Sequence, residues 1–91
     1  MKKLNLSKQA QKQISSLTKK QQLGIGEKLR QLQIDAYPPA SKQLKGELAD
    51  YRRVRVGRYR IVYFVQADTI MVPLIENRND GKVYRRAKRK S

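Results

Sequence analysis

Two spacings of apolar residues divide this chain. Leu6, Ala10, Ile14 and Leu17 recur every third or fourth position and make one stripe on an otherwise polar helix. Ser7 stands where an N-cap belongs, and the weak alternation from Lys2 to Leu6 suits a short first strand. Thr18-Lys-Lys-Gln21 fits the capping-box pattern, in which the threonine covers an orphan amide and the glutamine reaches back. It predicts the end of one helix and the start of a second, running to about Ala36 and burying Ile25, Leu29, Leu32 and Ala36. Gly24 and Gly26 weaken its first turns by up to about 1 kcal/mol each relative to alanine. No GxxxxGK motif surrounds them, so they read as helix-packing positions rather than a phosphate loop. Tyr37-Pro38-Pro39 ends the helix, because proline pushes the preceding residue out of the α region.

From Tyr51 the period changes to two. Tyr51, Arg53 and Arg55 share one face of a strand, with Arg52, Val54 and Val56 on the other. In the next strand Tyr59, Ile61, Tyr63 and Val65 share a face, and Arg60, Val62 and Phe64 lie opposite. Gly57-Arg58 between them suits a type II′ hairpin turn, with glycine at the first central position. Ala67-Asp68 makes a second turn into Thr69-Ile-Met-Val-Pro-Leu-Ile75, a run that needs cover on both faces. Pro73 conflicts with a central strand and calls for an edge or a bulge. Before the hairpin, positions 40 to 50 read as a polar connection, with Leu44-Lys45-Gly46-Glu47-Leu48 as a turn. Glu76 to Gly81 reads as a loop, and Lys82 to Lys90 as a basic tail, either solvated or forming one short helix. The expected fold is a single α+β domain over residues 1–91. It has an N-terminal strand, a helical hairpin on a mainly antiparallel four-stranded sheet, and a basic C-terminal segment.

Composition narrows the chemistry. Lysine and arginine number 22 against 7 acidic residues, a formal charge of +15 that points to nucleic acid, an anionic membrane or an acidic protein. Cysteine and histidine are both absent. That removes thiol nucleophiles, disulfides, thiolate metal sites and the commonest general base near neutral pH. The acidic residues are scattered, with no pair spaced for glycoside or two-metal chemistry. What remains is arginine, lysine and tyrosine, which together can bind a phosphodiester, stabilise a pentavalent transition state and stack on a base. Arginines at 52, 53, 55, 58 and 60 could form a solvated sheet face or a phosphate-binding one, and the basic balance of the chain favours the second. No apolar run approaches a membrane span and no secretory h-region is visible, so a cytoplasmic location is expected.

Leu44-Lys-Gly46, Tyr51-Arg-Arg-Val-Arg-Val-Gly57-Arg-Tyr-Arg-Ile-Val-Tyr63, Ile75 to Arg78 and Val83-Tyr84 together resemble the RelE/ParE toxin superfamily over nearly the whole chain. The Gly-x-Tyr-Arg-Ile-Val-Tyr core at 57–63 is the most specific part. The chain resembles the RelE-type messenger-RNA endonucleases more than the ParE-type gyrase poisons, whose likeness would not call for a basic sheet followed by Arg78 and Tyr84. The resemblance implies the toxin of a type II toxin–antitoxin system. Its activity would be ribosome-dependent, metal-independent cleavage of mRNA by 2′-hydroxyl attack on the adjacent phosphate, with no cofactor. Implied partners are a cognate acidic antitoxin, the ribosome and mRNA, with no membrane and with a heterotetramer or larger toxin–antitoxin complex. A ParE-like gyrase inhibitor and a catalytically silent RNA-binding domain are the alternatives.

Carried over by position, Arg53 and Arg55 fall where the family's sheet presents two basic residues to the scissile phosphate. Arg60 and Arg78 would stabilise developing charge, and Tyr84 would stack on a base or assist proton transfer. Lys45, Arg52, Arg58, Lys82 and Arg85 complete the implied RNA-binding set. The best-known member has lysines at the positions matched to Arg53 and Arg55. Arginine stays charged at any working pH, so neither suits a general base. Tyr84, Glu47, a ribosomal group, or a mechanism resting on electrostatics and positioning are left open. Each residue also has a plainer role: Arg60 as an ion-pair donor, Tyr51, Tyr59 and Tyr63 as core or rim residues, and Tyr84 as a tail anchor.

Overall fold

In the computed structural model of the chain, residues 1–77 are described. Their order is β1 (Lys3–Leu6), α1 (Lys8–Ser15), α2 (Lys19–Ile34), β2 (Lys42–Gln43), a 3-10 turn (Gly46–Leu48), β3 (Arg52–Val56), β4 (Tyr59–Gln66) and β5 (Thr69–Asn77). Arg78, Lys82, Tyr84 and Arg85, and the basic tail to which the last three belong, lie outside the described residues.

Both helices start where their capping residues stand. The Ser7 hydroxyl accepts from the Ala10 amide at 3.0 Å. At Thr18 the capping box is complete: Gln21 N–H donates to Oγ1 at 3.2 Å, and Thr18 N–H donates to Gln21 Oε1 at 3.0 Å. Helix α2 stops at Ile34, two residues short of the expected Ala36. Ala36 is nevertheless buried, and its carbonyl accepts the Tyr63 hydroxyl at 2.7 Å, which ties the end of the helix to the sheet.

The strands form one sheet in the order β1-β5-β4-β3-β2, parallel only between β1 and β5. Among the described residues it has five strands rather than the four expected. The added one, β2, pairs Lys42 with Arg53 and Gln43 with Arg52 through the backbone, and both its side chains are exposed. A two-residue strand without a buried side leaves no alternation to read. The β3–β4 turn behaves as the sequence predicts: Val56 pairs with Tyr59, and Gly57 has φ +59° while Arg58 does not enter the positive region. The β4–β5 turn places Ala67 at φ +55°, a conformation that costs an alanine about 1–2 kcal/mol.

Strand β5 lies between β1 and β4 despite Pro73, and a bulge makes this possible. Val62 pairs with Leu74 but Phe64 pairs with Met71, so Val72 and Pro73 together face Tyr63. Helix α1 and its cap satisfy the disturbed backbone. Ser7 N–H donates to the Val72 carbonyl at 3.0 Å, the Ser7 hydroxyl donates to the Pro73 carbonyl at 2.6 Å, and Ile75 N–H donates to Gln13 Oε1 at 2.8 Å. The extra residue also inverts the strand's facing. Ile70, Val72 and Ile75 all pack under the helices, while Leu74 belongs to the opposite face.

Two clusters follow, one on each side of the sheet. Under the helices, Ala10, Ile25, Leu29, Leu32 and Ala36 meet Val54, Ile61, Tyr63, Ile70, Val72 and Ile75. On the other side Leu44 and Leu48 fold over Val62 and Leu74, with Tyr51 packed against them. No helix among the described residues is long and apolar enough to cross a membrane.

Candidate nucleic-acid interface

The sheet face that no helix among the described residues covers can be built row by row from the strand register. Nearest the β3–β4 turn, Arg55 pairs with Arg60, and Arg60 pairs with Glu76. The next row on this face is Arg53, Val62 and Leu74. Beyond it Tyr51 and Phe64 meet with ring centroids 5.0 Å apart, tilted by 60°. The face is therefore apolar where the Leu44–Leu48 segment covers it and cationic toward the turn. Arg55 is exposed, and Arg53 and Arg60 are half-buried.

Directly opposed like charges destabilise an antiparallel pair. At Arg55 and Arg60 the neighbouring strand supplies a counter-charge. Arg60 Nη1 lies 3.4 Å from Glu76 Oε1, with the Arg60 side chain 22% exposed and that of Glu76 3%. The sequence pattern ends the strand at Ile75 and puts Glu76 in a loop. The strand in fact continues to Asn77, and the bulge turns Glu76 onto the arginine face. Pro73 was the available signal: a bulge placed there shifts the period-two count and brings Glu76 beside Arg60.

The remaining candidates scatter. Arg52 lies on the helix side of the sheet, as its alternation with Val54 and Val56 predicts. There its Nε and Nη2 donate to the Ser41 hydroxyl at 3.1 and 2.9 Å, and its guanidinium carbon sits 5.2 Å over the Tyr37 ring. It is not brought together with Arg53, Arg55 and Arg60. Lys45 and Glu47 are exposed in the segment that folds over the second cluster. Arg58 is exposed at the hairpin turn, beside a groove of about 430 Å³ between that turn and the start of α2. Tyr63 is a core residue, and Tyr59 and Tyr51 are half-buried against the two clusters.

Residues 4–86 match the family model described as the ParE toxin of the type II toxin–antitoxin system, parDE. A search of curated proteins returns no significant match. Solved structures with the same fold include the isolated E. coli RelE toxin, 20% identical with a TM-score of 0.76 over 99% of this chain and 98% of that one. The archaeal RelE–RelB complex from Pyrococcus horikoshii is 25% identical, with a TM-score of 0.75 over 86% of this chain and 96% of that one. The YoeB–YefM complex from Staphylococcus aureus is 22% identical, with a TM-score of 0.70 over 84% and 95%. The chain belongs to the ParE toxin family of type II toxin–antitoxin systems, within the RelE/ParE superfamily.

Proposed function

We propose that this toxin is a ribosome-dependent, metal-independent endoribonuclease. The observation that carries the reading is the set of three arginines, Arg53, Arg55 and Arg60, gathered from two adjacent strands onto the one sheet face that no helix among the described residues covers. In the reaction the ribose 2′-oxygen attacks the adjacent phosphorus, the bond to the 5′-oxygen breaks, and a 2′,3′-cyclic phosphate and a 5′-hydroxyl result. Negative charge grows on the phosphoryl oxygens, where fixed guanidinium groups oppose it without reorganising. Arg53 and Arg55 hold the phosphate, Arg60 and Arg78 meet the developing charge, and Tyr84 stacks on a base or assists proton transfer. The 2′-hydroxyl proton leaves to a group other than these arginines, which stay protonated; Tyr84, Glu47 and a ribosomal group are the candidates.

An acidic antitoxin is the proposed protein partner, and the RelE–RelB and YoeB–YefM complexes among the structural relatives support it. Leu23 and Ile34 are exposed on α2, and Lys12 and Lys19 are exposed along the helical hairpin. Such a surface offers apolar and cationic contacts to an acidic chain, in a heterotetramer or larger assembly. Action on ribosomes makes the cytoplasm the site of action.

The family description itself favours a second reading, a ParE-like gyrase inhibitor. Induction in cells, with mRNA 5′ ends mapped beside markers of DNA damage, separates the two. New 5′ ends inside translated messages without DNA damage support the nuclease; DNA damage with intact messages overturns it.

A further inference from the structure

We infer that Glu76 is a positioning residue: its carboxylate fixes the Arg60 guanidinium beside Arg55 and keeps it from binding phosphate as a free cation. The inference rests on the arginine face being the RNA-binding face. Three observations carry it. Arg55, Arg60 and Glu76 form one continuous row across β3, β4 and β5. The Glu76 side chain is 3% exposed, so its charge is held in a poorly solvated place facing Arg60 at 3.4 Å. The bulge at Val72–Pro73 is what turns Glu76 to this side, so the carboxylate reaches the row through a specific backbone device rather than by a strand's ordinary alternation.

The chemistry suits aiming rather than neutralising alone. A guanidinium carries five donors in a rigid fork. One of them, on Nη1, is directed at Glu76 Oε1, and the Arg60 side chain as a whole is 22% exposed. Arg60 can thus be oriented by Glu76 and still present donors to a phosphate. Arg55, directly opposite, is the solvent-exposed cation of the pair. Glu76 itself is too enclosed to contact a nucleotide, and Arg60 is the partner through which it bears on the arginine row.

The first test needs no nucleic acid. Nitrogen-detected NMR of the arginine side chains of the full-length chain, with Arg60 assigned by R60K, reads how fast that guanidinium rotates. Slow rotation that becomes fast in E76Q, with Arg55 unchanged, supports the inference; Arg60 signals indifferent to E76Q overturn it. Should E76Q not fold, E76D withdraws the carboxylate by one methylene and is read in the same way.

The second test measures binding of a single-stranded oligoribonucleotide by fluorescence anisotropy over a range of salt. Freeing one cation for phosphate steepens the log–log salt slope by about 0.7 and tightens binding at low salt. An unchanged slope in E76Q overturns the inference. On programmed ribosomes E76Q should cleave on the order of tenfold more slowly although it binds RNA more tightly, since a misaimed group loses rate through geometry. In an R60A background E76Q should have no further effect, and additive losses there would make Glu76 independent of Arg60. A wild-type chain that cleaves nothing would remove the nuclease reading, while the NMR and binding arms still decide Glu76.

Discussion

The two faces of the sheet are built from the same strands yet differ in what covers them. Under the helices, the buried positions of β3, β4 and β5 are apolar apart from Tyr63, whose hydroxyl bonds the Ala36 carbonyl. The opposite face buries only a small cluster beneath Leu44 and Leu48 and leaves Arg53, Arg55 and Arg60 toward solvent. The difference teaches a division of labour. The helix side carries the larger core, and the opposite face, with a smaller one, concentrates like charges that no core would accept.

The comparison breaks most visibly from the helix side. Leu32 is fully buried among the residues joining α2 to the sheet, and Leu32→Ala should cost about 2–5 kcal/mol, seen as a large fall in thermal midpoint. The second substitution marks where the division is imperfect. Arg60→Ala takes a charged hydrogen bond from buried Glu76 and should cost about 2 kcal/mol in urea unfolding, although Arg60 sits on the functional face. Arg60→Lys keeps the charge and should cost less. Tyr63→Phe removes the hydroxyl that bonds the Ala36 carbonyl and should lower stability by about 1 kcal/mol with no effect on RNA binding. The smallest effect has the opposite sign. Ala67→Gly relieves a positive φ far from the arginines and should raise stability by roughly 0.5–1 kcal/mol, since the strain released exceeds the added chain entropy.

How much of this was legible depended on whether structure left a side-chain pattern. The Thr18–Gln21 box and the two faces of the 51–65 hairpin are written in residue spacing and appear where that spacing puts them. Of the expected helical stripe, Ala10 and Ile14 lie on α1, while Leu6 belongs to β1 and Leu17 follows the helix. Strand β2 escaped because pairing through backbone alone imposes no pattern on Lys42 and Gln43. The last two residues of β5 escaped because a bulge breaks the period-two count, and a glutamate after an apolar run reads as a loop. The same break hid Glu76 from the candidate site. Arg53, Arg55 and Arg60 could be put on one face from alternation together with the family resemblance, while the alignment of Arg55 with Arg60 and Glu76 required the register of three strands. That Arg52 is tied to Ser41 and Tyr37 depends on the path of the connection after α2, which no periodicity describes.

The central claim is that the arginine row on this face acts on RNA, and that its exposed member, Arg55, contributes little to the fold. Arg55→Ala tests it most directly, because Arg55 is exposed and directly opposite Arg60. Primer extension on mRNA bound to programmed ribosomes, run beside thermal unfolding of the same protein, reads both halves of the claim. The account predicts cleavage slower by about 10²–10³-fold with stability changed by less than about 0.5 kcal/mol. An Arg55→Ala protein that cleaves at the wild-type rate, or that loses activity only because it unfolds, would contradict it.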